Sequence, residues 1–208
     1  AGVRRGAVVV LGGGTAGLAA ARVAVGMGAD VTVLDIDPAA MRRIEEVSGG
    51  AIRTRFSTEL DVARACAGAD LVIGAVLVPG ARTPRLVTRE MVRAMRPGSV
   101  LVDIAIDQGG CFEDSRPTTH SEPTFEVEGS IFYCVANMPG AVPHTSTYAL
   151  TNATLTYALA LADDGWRGAC RARAELGRGL STHDGVLYTE GVGRALGLET
   201  ADAAALLA

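Results

Sequence analysis

Apolar and polar positions run along this chain in blocks whose period switches repeatedly between strand and helix. Ala7–Leu11 is a continuous, largely β-branched apolar run, the pattern of a strand buried on both faces. Glycines follow, and then Thr15–Met27, an Ala-rich helical stretch that stops at Gly28. Val31–Leu34 is a second buried strand. Asp37-Pro38 opens a helix that runs to about Val47, with Asp as N-cap and Pro in the first helical position, and Gly49-Gly50 closes it. Ala51–Phe56 reads as a third strand, Glu59–Ala67 as a helix, and Leu71–Val78 contains a fourth strand. Thr88–Met95 is a short helix broken by Pro97-Gly98. Val100–Ile106 and Ile131–Val135 give a fifth and a sixth strand. After Pro143 the strand signal disappears, and helices are expected over Tyr148–Ala162, Cys170–Leu176 and Gly185–Leu196.

Strands alternating with helices imply an α/β, doubly wound, mostly parallel sheet, followed by C-terminal helices. Two regions are expected, 1–143 and 144–208, meeting at a packing boundary because no low-complexity linker separates them. The composition fits: of 208 residues, 49% are hydrophobic and only 4% aromatic, as in a core of Ala, Val, Leu and Gly. A net charge of −4 without any basic block argues against nucleic acid and anionic membrane surfaces as partners. Apolar runs of about ten residues fall short of the ~20 a spanning helix needs. The first residues do not form a signal peptide, and the chain lacks an initiator Met, so a fragment or a processed product is expected. Cys66, Cys111, Cys134 and Cys170 have neither zinc-ligand nor disulfide-framework spacing and are expected as reduced packing residues.

The chemistry begins after the first strand. Gly12-x-Gly14-x-x-Gly17 sits between a buried strand and a helix within a βαβ unit, the context in which this spacing signifies a Rossmann-type dinucleotide site. The first glycine makes the tight turn, the second admits the pyrophosphate to the backbone, and the third lets helix and strand pack closely. The N–H groups at Thr15 and Ala16 face the phosphates with the helix dipole behind them. Asp35, at the end of the second strand, is placed to accept from the adenosine ribose hydroxyls and would repel a 2′-phosphate, favouring NAD over NADP. Asp37 is the rival carboxylate, but Pro38 makes it the better helix cap.

In such a sheet the ligand lies along the carboxyl ends of the strands. Those ends are the segments Gly74–Gly80, Ala105–Cys111 and Ala136–Gly140, whose few polar groups include Asp107, Gln108 and Asn137. Asp107 is the best ionisable candidate for proton handling. A carboxylate that caps nearby backbone N–H groups is the competing role, and the residues alone do not separate the two. His120, His144 and His183 are expected in surface or capping roles, and Asp163-Asp164 at a solvated helix end.

The stretches GGGTAGLAAARVAVGMGADVTVLD, ADLVIGAVLVPGARTPRLVT, PGSVLVDIAIDQGGCFEDSRPTTH, FYCVANMPGAVPHTSTYALTNATL and GLSTHDG resemble bacterial L-alanine dehydrogenase over essentially the whole chain, which matches the C-terminal part of that enzyme. The resemblance implies NAD-dependent conversion of L-alanine and water to pyruvate and ammonia, in a cytoplasmic homo-oligomer, commonly a hexamer. It implies that Thr15 and Ala16 contact the pyrophosphate, Asp35 the adenosine ribose, and Ser57 the adenine side. Val76 and Leu77 would line the dinucleotide. Ile104, Ala105, Ile106 and Asp107, with Val135, Ala136, Asn137 and Met138, would surround the nicotinamide end. Arg116 also falls at a family cofactor position, and Asp107 becomes the active-site aspartate. Ala40 departs from the pattern, since many members carry a lysine there; Arg42 or Arg43 are the candidates to replace it. The N-terminal half of the family's substrate domain, with its arginine, lysine and histidine, is not matched, so residues from about 144 onward would be helices of that domain. On this reading Tyr148–Ala162 carries an exposed apolar face, and the isolated chain binds NAD without being catalytically complete. Two alternatives remain: a dinucleotide-binding module with no chemistry of its own, and the NAD-binding subunit of a transhydrogenase, against which Asp107-Gln108-Gly109-Gly110 speaks.

Overall fold

The computed structural model describes residues 2–78 and 82–208. Of the segment Gly74–Gly80, Pro79 and Gly80 lie outside the described residues. The chain divides into two compact units, one of residues 2–78 with 82–138 and one of residues 139–208.

The first unit begins β1 (Ala7–Leu11), α1 (Thr15–Gly26), β2 (Asp30–Asp35), α2 (Pro38–Ser48), β3 (Ile52–Phe56), α3 (Glu59–Gly68) and β4 (Leu71–Gly74). It continues with α4 (Arg89–Arg93), β5 (Val100–Asp103), β6 (Thr124–Val127) and β7 (Ser130–Tyr133). These strands form one seven-stranded sheet in the order β3-β2-β1-β4-β5-β7-β6. All neighbours are parallel except β6, which pairs antiparallel with β7 along the edge. This is the expected doubly wound sheet. Its topological switch falls between β1 and β4, which leave β1 flanked by β2 on one side and β4 on the other.

Burial explains the continuous apolar runs. Successive strand side chains point to opposite faces. Val9 and Leu11 of β1 join a cluster with Val62 and Cys66 of α3 and Met91 and Val92 of α4. Val8 and Val10 join the cluster containing Ala21 and Ala24 of α1 and Ile44 of α2. Helix ends follow the local chemistry. Asp37 caps α2 by accepting from the Ala39 N–H at 2.9 Å, Pro38 opens the helix, and Gly49 ends it in the left-handed region at φ 57°. Thr58 and Thr88 cap α3 and α4 in the same way.

Several expectations are corrected. The fifth strand ends at Asp103, because the chain then tightens into a 3₁₀ turn over Ile106–Gln108. The sixth expected strand, Ile131–Val135, is β7 at Ser130–Tyr133, the second arm of a hairpin whose first arm, β6, was not foreseen. Glu128 and Gly129 both adopt positive φ between them, as a tight two-residue hairpin turn requires.

The second unit holds α5 (Pro143–Ala172), α6 (Ala174–Arg178), β8 (Thr182–His183), β9 (Val186–Leu187), α7 (Glu190–Leu196) and α8 (Ala203–Leu207). α5 starts earlier than expected because Pro143 occupies its first turn, and Gly165 (φ 66°, ψ 165°) interrupts it just after Asp163-Asp164. It also takes in Cys170, so the helix expected over Cys170–Leu176 is the end of α5 followed by α6. Tyr148, Leu150, Leu155, Leu159 and Leu161 are exposed on it. The helix expected over Gly185–Leu196 begins only at Glu190. Asp184-Gly185, at φ 49° and 77°, instead turns the β8–β9 hairpin. Among the described residues no helix is long and apolar enough to cross a membrane.

Candidate functional site

The carboxyl ends of the parallel strands collect most of the residues singled out in the sequence. Gly12 leaves β1 at φ 97°, and a Cβ there would stand 2.9 Å from backbone atoms of Ala75 and Val76 beside β4. Gly17, in the first turn of α1, is tighter still: its Cβ would lie 1.9 Å from the Gly12 carbonyl oxygen. Helix and turn therefore touch through backbone. Gly14 differs. It is the N-cap of α1, and a Cβ on it would meet nothing within 4 Å. An open approach to backbone N–H groups is thus kept where Thr15 and Ala16 begin the helix. No acidic residue occupies that first turn to compete for the dipole. The cradle fits a pyrophosphate.

Asp35 closes β2 beside this turn. Its Oδ2 accepts from the Gly13 N–H at 2.5 Å and its Oδ1 from the Asp37 N–H at 2.8 Å. A Cβ on Gly13 would fall 2.6 Å from Ile44 Cδ1 and 3.1 Å from that same carboxylate oxygen. Gly13, which the fingerprint leaves undefined, is therefore needed for Asp35 to reach the turn. Ser57 follows β3, and its N–H donates to the Asp35 carbonyl at 2.9 Å. Turn, carboxylate and Ser57 form one edge, in the arrangement that suits an adenosine ribose and its base. Asp37 is occupied as a cap.

Across the switch point, Val76 is half-buried and Leu77 is 66% exposed. Thr83 links two strand-end loops: its hydroxyl donates to the Val76 carbonyl at 3.5 Å, and its N–H donates to the Gln108 carbonyl at 3.0 Å. The Ile104 N–H donates to the Gly74 carbonyl at 2.8 Å. Ala105 and Ile106 are buried, whereas Asp107 stands exposed on the 3₁₀ turn with no side-chain hydrogen bond among the described residues. The capping role weighed for Asp107 belongs to another residue. Gln108 Oε1 is buried and unpartnered among the described residues.

The capping carboxylate is Asp103, which was not singled out in the sequence. It is fully buried at the end of β5. Oδ1 accepts from the Ala105 N–H at 3.1 Å, and Oδ2 from the Cys111 N–H at 2.8 Å and the Ser115 hydroxyl at 2.5 Å. Burial pushes its carboxyl above the ordinary value of 3.8, against the pull of these donors. The only sequence signal was an acidic residue inside the apolar run Val100–Ile106.

After β7, the Ala136 N–H donates to the Thr118 carbonyl at 3.2 Å, and Asn137 adopts φ 53°. His120 Nε2 lies 3.2 Å from the Asn137 carbonyl oxygen. Val135 is buried, Ala136 and Asn137 are exposed, and Met138 starts a 3₁₀ turn. Arg116 lies over the ring of Phe125 on the antiparallel margin, 4.1 Å from its centroid. The remaining histidines pack on aromatic rings, His144 on Tyr148 and His183 on Trp166. All four cysteines are buried and unbridged. Burial pushes Cys66 and Cys111 up to about 12 and Cys134 up to about 11. Among the described residues no group of His, Cys, Asp and Glu could hold a metal ion.

Comparison with known proteins agrees with this geometry. The sequence profile of the family described as alanine dehydrogenase/PNT, C-terminal domain, matches residues 1–190. An alanine dehydrogenase of Mycolicibacterium smegmatis is 62% identical over 207 residues, covering 100% of this chain and 56% of that protein. One from Mycobacterium tuberculosis is 58% identical with the same coverage. A solved L-alanine dehydrogenase superimposes with a TM-score of 0.83 at 45% identity, over 94% of this chain and 54% of that one. A transhydrogenase from Sinorhizobium meliloti gives 0.63 at 34% identity, over 70% of this chain and 41% of that one. The chain spans about half the length of the curated relatives it matches.

Proposed function

The chain belongs to the alanine dehydrogenase/PNT C-terminal domain family, an NAD-binding domain, and we propose that it is the NAD-binding portion of an L-alanine dehydrogenase. The intact enzyme converts L-alanine, NAD and water to pyruvate, ammonia and NADH. The observation that carries this reading is the carboxylate of Asp35 fixed beside an open phosphate cradle at the switch point of the sheet.

On this reading Gly14, Thr15 and Ala16 hold the pyrophosphate, Asp35 the ribose hydroxyls and Ser57 the adenine side. Val76 and Leu77 line the dinucleotide. Ile104–Asp107 and Val135–Met138 receive the nicotinamide end, and Arg116 occupies a further family cofactor position. The chemistry the cofactor supplies when bound is acceptance of hydride from the alanine α-carbon. Asp107, whose carboxylate is exposed on the 3₁₀ turn, would orient the ring or the water that adds to the resulting imine and help pass protons. The groups that hold the alanine carboxylate lie outside these 208 residues, so the chain by itself binds NAD and turns over little. Residues from about 144 onward belong with the substrate domain. The whole enzyme is a cytoplasmic homo-oligomer, a hexamer on the family pattern, which light scattering on the intact enzyme would measure.

The test is Asp107→Ala in the intact enzyme. Alanine-dependent NADH formation should fall by about 10²-fold or more, in the range of a lost acid–base group, with NAD affinity within about twofold. Turnover within a few-fold of wild type would remove Asp107 from the chemistry.

A further inference from the structure

We propose that Asp103 is the positioning residue for the loop that carries Asp107, its buried carboxylate holding both ends of that loop against the nicotinamide end of the cofactor; this rests on the NAD reading above. Apart from Asp103, the segment between Asp103 and Cys111 is held by backbone hydrogen bonds, among them Ile104 N–H to the Gly74 carbonyl and Thr83 N–H to the Gln108 carbonyl. It contains one short 3₁₀ turn, then Gly109 and Gly110 at φ 99° and 82°. Asp103 Oδ1 takes the N–H of Ala105 at the start of this segment, and Oδ2 takes the N–H of Cys111 at its end. Ser115 braces Oδ2 from the other side. One rigid group thus fixes the entry and the exit of the excursion that carries Ile106, Asp107 and Gln108.

The surroundings are shaped for that carboxylate. A Cβ on Gly110 would lie 2.6 Å from Asp103 Oδ2 and 2.7 Å from Ser115 Cβ, so the glycine admits both the positive φ and the close approach. A Cβ on Gly74, at the end of β4, would lie 2.9 Å from Cys111 Cβ. The exit of the loop is therefore also pressed against the neighbouring strand. Burying an acid here is costly, and an apolar residue would fill a strand end more cheaply. What a carboxylate adds is two acceptor atoms in a fixed geometry for donors converging from both sides. Asparagine cannot reproduce this. With its oxygen towards Cys111 and Ser115, its NH₂ group faces the N–H of Ala105, donor against donor.

The test compares NAD with ADP-ribose, which lacks only the nicotinamide, by calorimetry on this chain, with NADH fluorescence at saturation as the reporter of the ring's surroundings. Wild type should bind NAD more tightly than ADP-ribose. Asp103→Asn should weaken NAD by about fivefold or more, leave ADP-ribose within about twofold, and abolish the NADH emission shift. A general loss of packing would instead weaken both ligands together. If Asp103→Asn does not fold, Ser115→Ala decides, with the same split at about twofold or more. Equal loss for both ligands, an unchanged emission shift, a folded Ser115→Ala that behaves as wild type after a failed Asp103→Asn, or a wild type that does not distinguish the ligands would each overturn the proposal. Failure of wild type to bind either ligand would overturn the NAD reading with it.

Discussion

Gly14 and Gly17 stand three residues apart in one motif, yet the structure assigns them different work, and alanine at each should separate folding from binding. At Gly17 the added Cβ lies 1.9 Å from the Gly12 carbonyl oxygen and 3.3 Å from Val10 Cγ1. The nearer neighbour is backbone, so no rotamer change relieves the overlap and α1 has to move off the sheet by more than an ångström. Overpacking of this kind costs about 1–3 kcal/mol even where side chains can yield, and here the upper end applies. For a chain of this size that lowers the melting temperature by roughly 6–12 °C. At Gly14 the Cβ meets nothing. Losing glycine at an N-cap costs about 0.5–1 kcal/mol, and the stiffer unfolded chain returns about 0.4–1 kcal/mol, so stability changes by less than ~0.5 kcal/mol. The methyl group nevertheless stands where the pyrophosphate must approach, and NAD affinity should fall about tenfold or more, equivalent to ~1.4 kcal/mol. Circular-dichroism melts and calorimetry on both variants give the readout. Gly14→Ala binding NAD as wild type would place the pyrophosphate elsewhere, and Gly17→Ala melting as wild type would contradict the seating of α1.

Other residues give sharper contrasts. Asp37→Ala removes only the α2 cap and should cost about 0.5–2 kcal/mol in a thermal melt with NAD affinity unchanged. Asp35→Ala removes the acceptor for Gly13 and Asp37, and should both lower stability by about 1–3 kcal/mol and weaken NAD. Cys66 and Cys111, at about 12, are almost wholly thiol at pH 8, so the folded chain should react with a thiol probe far more slowly than it does in denaturant. Asp103 carries a pH signature. Because its folded value is raised above 3.8, ionising it costs stability; the cost is absent below that value and complete once pH passes the raised one. The melting temperature of Asp103→Asn relative to wild type should therefore rise as pH increases through that window, and a difference that stays flat or falls would contradict the raised value.

The parts of this molecule written in local chemistry were legible in its sequence. Buried strands show as unbroken apolar runs because both faces of the sheet are covered, and Asp37-Pro38 and Gly49 mark the ends of α2 within their own residues. The antiparallel margin was harder. β6 alternates exposed and half-buried positions at a sheet edge, so it lacks the signal of a central strand. The β8–β9 turn did carry its signal, Asp184-Gly185, which the helical pattern downstream obscured. Asp103 was illegible for a different reason. Its partners Cys111 and Ser115 come from a loop whose path is set by the fold, and in one dimension it is an acid at the end of a strand, overshadowed by exposed Asp107. Arg116 likewise finds Phe125 only once the β6–β7 hairpin forms.

Titrating the chain with NAD and with NADP in a calorimeter asks whether the carboxyl edge of this sheet is an NAD site read by Asp35. Saturable one-to-one binding of NAD is expected, with affinity for NADP weaker by about tenfold or more, because the 2′-phosphate would meet the carboxylate. A folded chain that releases no heat with NAD, or that binds the two dinucleotides equally, would contradict that reading.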